Sequence, residues 1–113
     1  MATPLNVFKT VTYELTVTDD IIYTAPVGFT GIVLMAQIAN ITSNPVATTF
    51  SHYRTTGAIT TELIKDFNVA ANDAANAITG KLILEVGDSI IASASSNASL
   101  KITLSILESL NAN

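Results

Sequence analysis

The sequence predicts an all-β protein: a single-domain β-sandwich, jelly-roll-like, with about eight short antiparallel strands. Its 113 residues suffice for one ordinary domain. Apolar and polar side chains alternate with period two along most of the chain, which is typical of strands with one buried face. Turn-forming residues interrupt these runs at short intervals, and no long amphipathic helix is predicted. The expected boundaries are an N-terminal arm at 1–8, the sandwich at 9–108 and a polar tail at 109–113.

The first two predicted strands precede Gly28. From Val7 to Thr18, the residues Val, Tyr and Leu alternate with Thr and Glu, which predicts a half-buried strand ending at Asp19-Asp20. Ile21 to Ala25 forms a second, shorter strand. Pro26 and Gly28 end it, because Pro has no amide hydrogen to donate and Gly accepts turn conformations.

The next segment, Gly31 to Ile41, is apolar on both faces. One face carries Ile32, Leu34, Ala36 and Ile38, and the other carries Val33, Met35, Ala39 and Ile41. A strand of this kind is central and covered twice, either by the second sheet of its own domain or by a neighbouring subunit. This apolar surface exceeds what one small sandwich needs. The sequence therefore predicts an obligate homo-oligomer and favours a trimer.

The middle of the chain alternates less regularly. After the loop Thr42–Pro45, strands are predicted at Thr48–Arg54 and Ile59–Phe67, the second with Ile59, Leu63 and Phe67 facing inward. Asn68–Thr79 is predicted as a loop, with one short helical turn as the alternative, because its Asn and Asp residues favour loops and caps.

The C-terminal third is expected to form three strands. Lys81–Glu85 and Ser89–Ser95 flank Gly87-Asp88, which is predicted to be a tight hairpin turn. Ser96-Asn97 turns the chain again. The last strand, Leu100–Leu107, alternates cleanly, and its predicted inward residues are Leu100, Ile102, Leu104 and Ile106.

Composition excludes several functional classes. Apolar residues make up 49% of the chain and charged residues 12%, which rules out a disordered tail. The net charge of −4 gives no basic surface, so no nucleic-acid partner is expected. No membrane partner is expected either, because the longest apolar stretch has about ten residues and a bilayer-spanning helix needs about twenty. The chain has no cysteine, so thiolate chemistry and disulfides are excluded.

The candidate catalytic residues do not converge. A Ser–His pair needs both side chains in contact, whereas Ser51 and His52 are neighbours in a predicted strand and point to opposite sides of the sheet. Glu14 and Glu62 lie on outward faces, where acidic side chains maintain solubility. The sequence therefore predicts that the protein is not an enzyme and that His52 is a surface or interface residue.

No cofactor or metal is expected. With one His and no Cys, only oxygen ligands for Ca²⁺ remain, and Asp19-Asp20 and Asn72-Asp73 are the clustered candidates. Both pairs are also common turn formers, because Asp and Asn side chains bond to nearby backbone amides. Gly28 and Gly31 precede a strand and not a helix, so they do not form a phosphate-binding loop.

Five segments together carry a resemblance that covers nearly the whole chain. They are Lys9–Thr16 (KTVTYELT), Ile22–Pro26 (IYTAP), Gly31–Asn40, Gly80–Ile90 (GKLILEVGDSI) and Leu100–Glu108. In this order they resemble small all-β virion proteins of tailed bacteriophages, the capsid decoration and head or tail accessory proteins. The Leu-x-Leu-x-x-Gly-Asp-x-Ile pattern also closes jelly rolls in lectin-like and tumour-necrosis-factor-like trimers.

The resemblance implies a structural function. The chain would be a capsid decoration (cement) protein that contacts the major capsid protein or another virion protein, assembled in the host cytoplasm. A reducing cytoplasm suits a chain without cysteine. The alternatives are a tail or neck accessory protein, or a small jelly-roll module that binds carbohydrate or a host surface. Its low aromatic content of 6%, with no Trp, disfavours a sugar site.

Partner contacts are expected in two segments. The N-terminal segment is uncharged up to Phe8 and could lie across a neighbour, burying Leu5, Val7 and Phe8. The second segment begins with His52, Tyr53 and Arg54. Arg and Tyr are enriched among the residues that dominate binding energy at interfaces, although a solvated strand end would also explain the single arginine.

Overall fold

The computed structural model describes residues 6–111 as two antiparallel sheets packed face to face. Its strands are β1 (Asn6–Glu14), β2 (Asp20–Thr24), β3 (Phe29–Asn40), β4 (Val46–Arg54), β5 (Ile59–Val69), β6 (Ala74–Asn76), β7 (Leu82–Leu84), β8 (Ser89–Ala94) and β9 (Leu100–Leu110). Sheet A has the order β1-β9-β3, and both β6 and β7 pair with the free side of β3. Sheet B has the order β2-β8-β4-β5. No helix in the described range is long and apolar enough to cross a bilayer.

The topology confirms the predicted jelly-roll-like sandwich. Because β6 and β7 occupy two halves of one edge position, each sheet has four strand positions. Six of the eight connections between consecutive strands change sheet. This is the strand arrangement of a double-sheet jelly roll. The strand count is nine, against the predicted eight or so, because that edge position is split.

The core forms between the inner faces of the two sheets. The four residues predicted to face inward from the last strand are each at most 1% exposed, which confirms that prediction. In β3 the register shifts between Val33 and Met35, so that Leu34 is an extra residue in the strand. Before the bulge the even-numbered residues face outward, and after it the odd-numbered residues do. The predicted regular alternation of the two faces is therefore wrong at this point. Ile32 and Met35 lie half-buried on the outer face.

The three apolar residues predicted to face inward from β5 are not buried. Ile59, Leu63 and Phe67 are 51%, 37% and 47% exposed, whereas Ile64 packs against the core and Val69 is buried. β5 is an edge strand, and its pairing with β4 shifts register twice. The shifts place Ile64, and not Leu63, on the inner side of the sheet. Ile59 and Phe67 lie on that side, paired with Arg54 and Thr48, but they remain exposed at the edge.

The predicted hairpin at Gly87-Asp88 is also wrong. β7 pairs in sheet A and β8 pairs in sheet B, so these residues carry the chain from one sheet to the other. The predicted loop Asn68–Thr79 contains the short strand β6, and no helical turn forms there. Pairing also continues beyond the expected domain boundaries, because β1 begins at Asn6 and β9 ends at Leu110.

A side-chain hydrogen bond links the two sheets through the core. The Tyr23 hydroxyl, from β2, donates to the Glu108 carboxylate of β9, and Lys9 Nζ lies 3.4 Å from the same carboxylate. Glu108 is 5% exposed, so these two partners compensate for burial of its charge. A Cβ atom at Gly31 would lie 3.2 Å from the Tyr23 ring, so glycine leaves the ring its space.

Burial and the neighbouring Glu108 carboxylate raise the pKa of Tyr23 well above its usual value. The Tyr23 contribution to stability is therefore complete below the unfolded-state pKa of about 10 and decreases as the pH rises above it. We expect Tyr23→Phe to reduce the free energy of unfolding by about 1–3 kcal/mol at neutral pH. The difference from the wild type should shrink in alkali, measured by urea unfolding across that range. Tyr53→Phe is the control, and an equal pH dependence in both variants would contradict the assignment.

Candidate interaction surface

Four large apolar side chains form a row across the outer face of sheet A. Pairing between strands places Phe8 opposite Leu107, and Leu107 opposite Ile32. Ile32 in turn lies opposite Ile83 of β7. Directly paired residues share one face of an antiparallel sheet, and Leu107 alternates with the buried Ile106, so all four face outward. We call Phe8, Leu107, Ile32 and Ile83 the apolar row.

The apolar row is exposed at both ends. Phe8 is 75% exposed and Ile83 is 52% exposed, while Leu107 and Ile32 between them are half-buried by their neighbours. The bulge residue Leu34 adds a further exposed apolar side chain. The next cross-strand row is Thr10, Ser105 and Met35, and the row beyond it is Thr12, Thr103, Gln37 and Asn76. The apolar surface is therefore confined to one end of the face, as is typical of contact surfaces.

The predicted N-terminal contact residues separate in the structure. Phe8 projects from the outer face of β1 as part of the apolar row. Val7 lies on the opposite, inward side, half-buried and paired with Glu108. Leu5 lies outside the described residues. Of the two described residues, Phe8 is the exposed one, with 75% of its surface accessible.

The second predicted group lies at the end of β4. His52 pairs with the buried Ile90, whereas the adjacent Ser51 pairs with Ile91 on the other face, so their predicted divergence is confirmed. Tyr53 lies half-buried on the outer face of sheet B. Arg54 Nη2 lies 3.2 Å from Glu85 Oε1 in an exposed ion pair. Exposed pairs of this kind contribute little to stability, so Arg54 could exchange Glu85 for another carboxylate.

His52 belongs to a polar cluster around Asp88, a residue that is 1% exposed. The Asp88 carboxylate accepts hydrogen bonds from the backbone amides of Thr55 and Glu85, each at 3.1 Å. The Thr55 hydroxyl lies at 3.3 Å and His52 Nε2 at 3.2 Å from the same carboxylate. Burial would raise the pKa of Asp88, but these hydrogen bonds outweigh burial and lower it. The cluster thus holds the crossover between β7 and β8 against the end of β4.

The acidic residues that the sequence offered as metal ligands lie apart from one another or bond to their own turns. Within 6–111, no three His, Asp or Glu side chains are grouped as metal ligands. Asp20 accepts hydrogen bonds from Thr16 and Tyr13, and Asp73 Oδ1 accepts one from the Ala74 amide. A cleft of about 330 Å³ lies between β5 and residues 76–82, and its lining contains no Asp, Glu or His.

Sequence reasoning missed most of the apolar row and all of the buried polar contacts. Ile32, Ile83 and Leu107 come from three separate strands, and only the register places them beside Phe8. One signal was present: Leu107 and Phe8 occupy outward positions of otherwise alternating strands. For Asp88 and Glu108 the sequence holds no such signal, because acidic residues at strand ends are usually solvated.

Comparison with known proteins identifies the fold and not a family. No protein-family model and no curated protein sequence matches this chain. A chain from Bacillus endospore appendages, described as a novel family of disulfide-linked pili, is similar with a TM-score of 0.56 and 16% identity, over 94% of this chain and 88% of its own. A chain from the acidic stable capsid structure of Helicobacter pylori bacteriophage KHP30 has a TM-score of 0.49 and 11% identity, with 98% and 92% covered. The first likeness shows the shared fold, and the second is too distant to carry an argument.

The lowered pKa of Asp88 predicts acid sensitivity. Its ionised form is stabilised by folding, so the contribution is complete above the unfolded-state pKa of about 3.9 and decreases as the pH falls below it. We expect Asp88→Asn to reduce the free energy of unfolding by about 1–3 kcal/mol at neutral pH, and by less in acid. Urea unfolding at several pH values measures both effects. Asp19→Asn, at an exposed position, is the control, and a constant difference between Asp88→Asn and the wild type would disprove this prediction.

Proposed function

We propose that this protein is a non-enzymatic structural subunit of a bacteriophage virion, a decoration protein that stabilises the capsid through protein–protein contacts. Copies associate with one another and with the major capsid protein, and the particle assembles in the host cytoplasm. The apolar row carries this proposal. It is a surface suited to burial against protein, on a fold that viral capsid domains also use.

Three further observations support a structural role. The resemblance to small virion proteins extends along nearly the whole sequence. The charged fraction of 12% is low for a protein that would keep all of its surface in water. The chain has no cysteine, so disulfides do not join it to its neighbours in a particle. The disulfide linkage named for the spore appendage has no counterpart in this chain.

The residues proposed to contact the capsid are those of the apolar row, with Leu5 and Arg54 as additional contacts from the sequence analysis. Aromatic side chains that fill a pocket on the partner usually dominate such an interface. Phe8 is the most exposed aromatic side chain in the described range and lies at the edge of sheet A. It is therefore the proposed anchor.

We expect Phe8→Asp to weaken binding to capsids by about 2 kcal/mol or more, or roughly thirtyfold, because a carboxylate would replace the anchor in an apolar contact. Binding is measured by adding purified protein to capsids that lack it and quantifying occupancy. Ile21→Asp is the matched control, because Ile21 is also a highly exposed apolar residue, 63% accessible, on β2 of sheet B. Both variants should melt close to the wild type. Normal occupancy for Phe8→Asp, or equal loss for Ile21→Asp, would place the contact elsewhere.

A second experiment tests Arg54. If it binds a carboxylate on the capsid, Arg54→Ala should weaken binding by about 2 kcal/mol while the fold stays intact. Glu85→Gln is the matched variant, because it removes the carboxylate that pairs with Arg54 within the chain. The Arg54 guanidinium is then free to bind a carboxylate on the capsid. We expect that variant to bind capsids at least as tightly as the wild type. Unchanged binding of the Arg54→Ala variant would show that Arg54 is a solvated residue at a strand end and not a capsid contact.

A further inference from the structure

The four edges of the two sheets differ in how well they are protected. Exposed edge strands can pair with another chain, and proteins prevent this with short strands, bulges and charged residues. β6 and β7 have three residues each, and β2 has five with a register shift. β5 is long, but its pairing is shifted twice and it carries Glu62, Lys65 and Asp66. These three edges are protected.

The fourth edge, β1, is long and regular and carries fewer charged residues than β5. All nine of its residues pair with β9 without a register shift. Its two charged residues are Lys9, whose ammonium group lies against Glu108, and Glu14 at the end of the strand. No other described strand pairs with its free side. β1 is therefore a regular strand whose outward backbone amides and carbonyls are open to a partner strand.

We propose that β1 pairs antiparallel with β1 of a second copy about a two-fold axis at Thr10, joining two A sheets into one continuous sheet. The inference rests on the proposed function and deepens it by naming the contact between copies. Antiparallel pairing of one edge with itself is self-complementary, as a two-fold interface requires. It yields a dimer or an assembly of dimers, in place of the trimer that the sequence favours.

The chemistry of β1 selects this register. With the axis at Thr10, all nine residues of β1 pair with the second copy. Asn6 of each copy then lies opposite Glu14 of the other, so an amide side chain lies beside each carboxylate. An axis at Lys9 would set two ammonium groups directly opposite each other, which is unfavourable. A two-fold axis perpendicular to the sheet also leaves both apolar rows on the same outer face. The dimer would then offer the capsid two copies of the contact surface.

Because the chain has no cysteine, single cysteine variants report this pairing directly. In the proposed register, Thr10 lies opposite Thr10 of the second copy, with Cα atoms about 4.5–5.5 Å apart, within disulfide range. Thr12 is the matched control: it is an exposed threonine on the same face of the same strand. The two Thr12 Cα atoms would lie about 14 Å apart, too far for a disulfide.

The experiment oxidises each purified variant without capsids and measures covalent dimer on a non-reducing gel. We expect Thr10→Cys to cross-link efficiently and Thr12→Cys to remain monomeric on the gel. Thr10→Lys should raise the dimer dissociation constant about fivefold in sedimentation, because two like charges would face each other. Thr60→Lys, on the exposed edge strand β5, should leave it unchanged.

A wild-type protein that sediments as a monomer or as a trimer would overturn the pairing. So would equal cross-linking of Thr10→Cys and Thr12→Cys, which would indicate random collision. None of these measurements uses capsids, so failure of the pairing is distinguishable from failure of the proposed function. A monomer that still binds capsids through Phe8 would overturn the pairing alone.

Discussion

The hydrogen bond from Tyr23 to Glu108 places a charged group inside the core between the two sheets. It joins β2 of one sheet to β9 of the other through the core, at the place where Gly31 leaves room for the ring. The buried carboxylate also needs a cation, which Lys9 of β1 supplies. Since side chains alternate along a strand, directing Lys9 inward directs Phe8 outward. The exposed position of Phe8 in the apolar row thus follows from the inward position of Lys9 beside the buried charge.

The same alternation explains the extent of the apolar row. β9 is regular throughout, so Leu107 faces outward because Ile106 and Glu108 face inward. In β3 the extra residue Leu34 interrupts the pattern immediately after Ile32 and Val33. Beyond the bulge, the outer face of β3 continues with Met35 and then with Gln37 and Ala39, which pair with threonine, asparagine, alanine and lysine. One irregularity in one strand therefore divides the outer face of sheet A into an apolar end and a polar end.

The sequence was informative where strands are regular and uninformative where register decides the outcome. β9 could be predicted with its inward residues, because its alternation is unbroken. β5 could not, since its two register shifts are invisible in a pattern of period two. Gly87-Asp88 correctly indicated a chain reversal, but a turn signal does not specify whether the next strand stays in the same sheet. For the interaction surface, Phe8 was predicted from its position, whereas its neighbours in the apolar row required the pairing of four strands.

Magnitudes indicate why such a surface suits a particle better than a binary complex. Fully burying one large apolar side chain contributes about 1.5–3 kcal/mol, and two of the four residues in the apolar row are already half-buried. The row therefore supplies a few kcal/mol, while association costs at least about 4 kcal/mol in lost translational and rotational freedom. A single apolar row would bind a capsid weakly. When two copies are joined, binding of the first copy makes binding of the second intramolecular. The overall affinity of the pair then exceeds that of one copy by a factor of about 10²–10⁴. Individually weak contacts can thus hold joined subunits firmly on a repeating lattice, because the lattice offers a binding site to each copy at once.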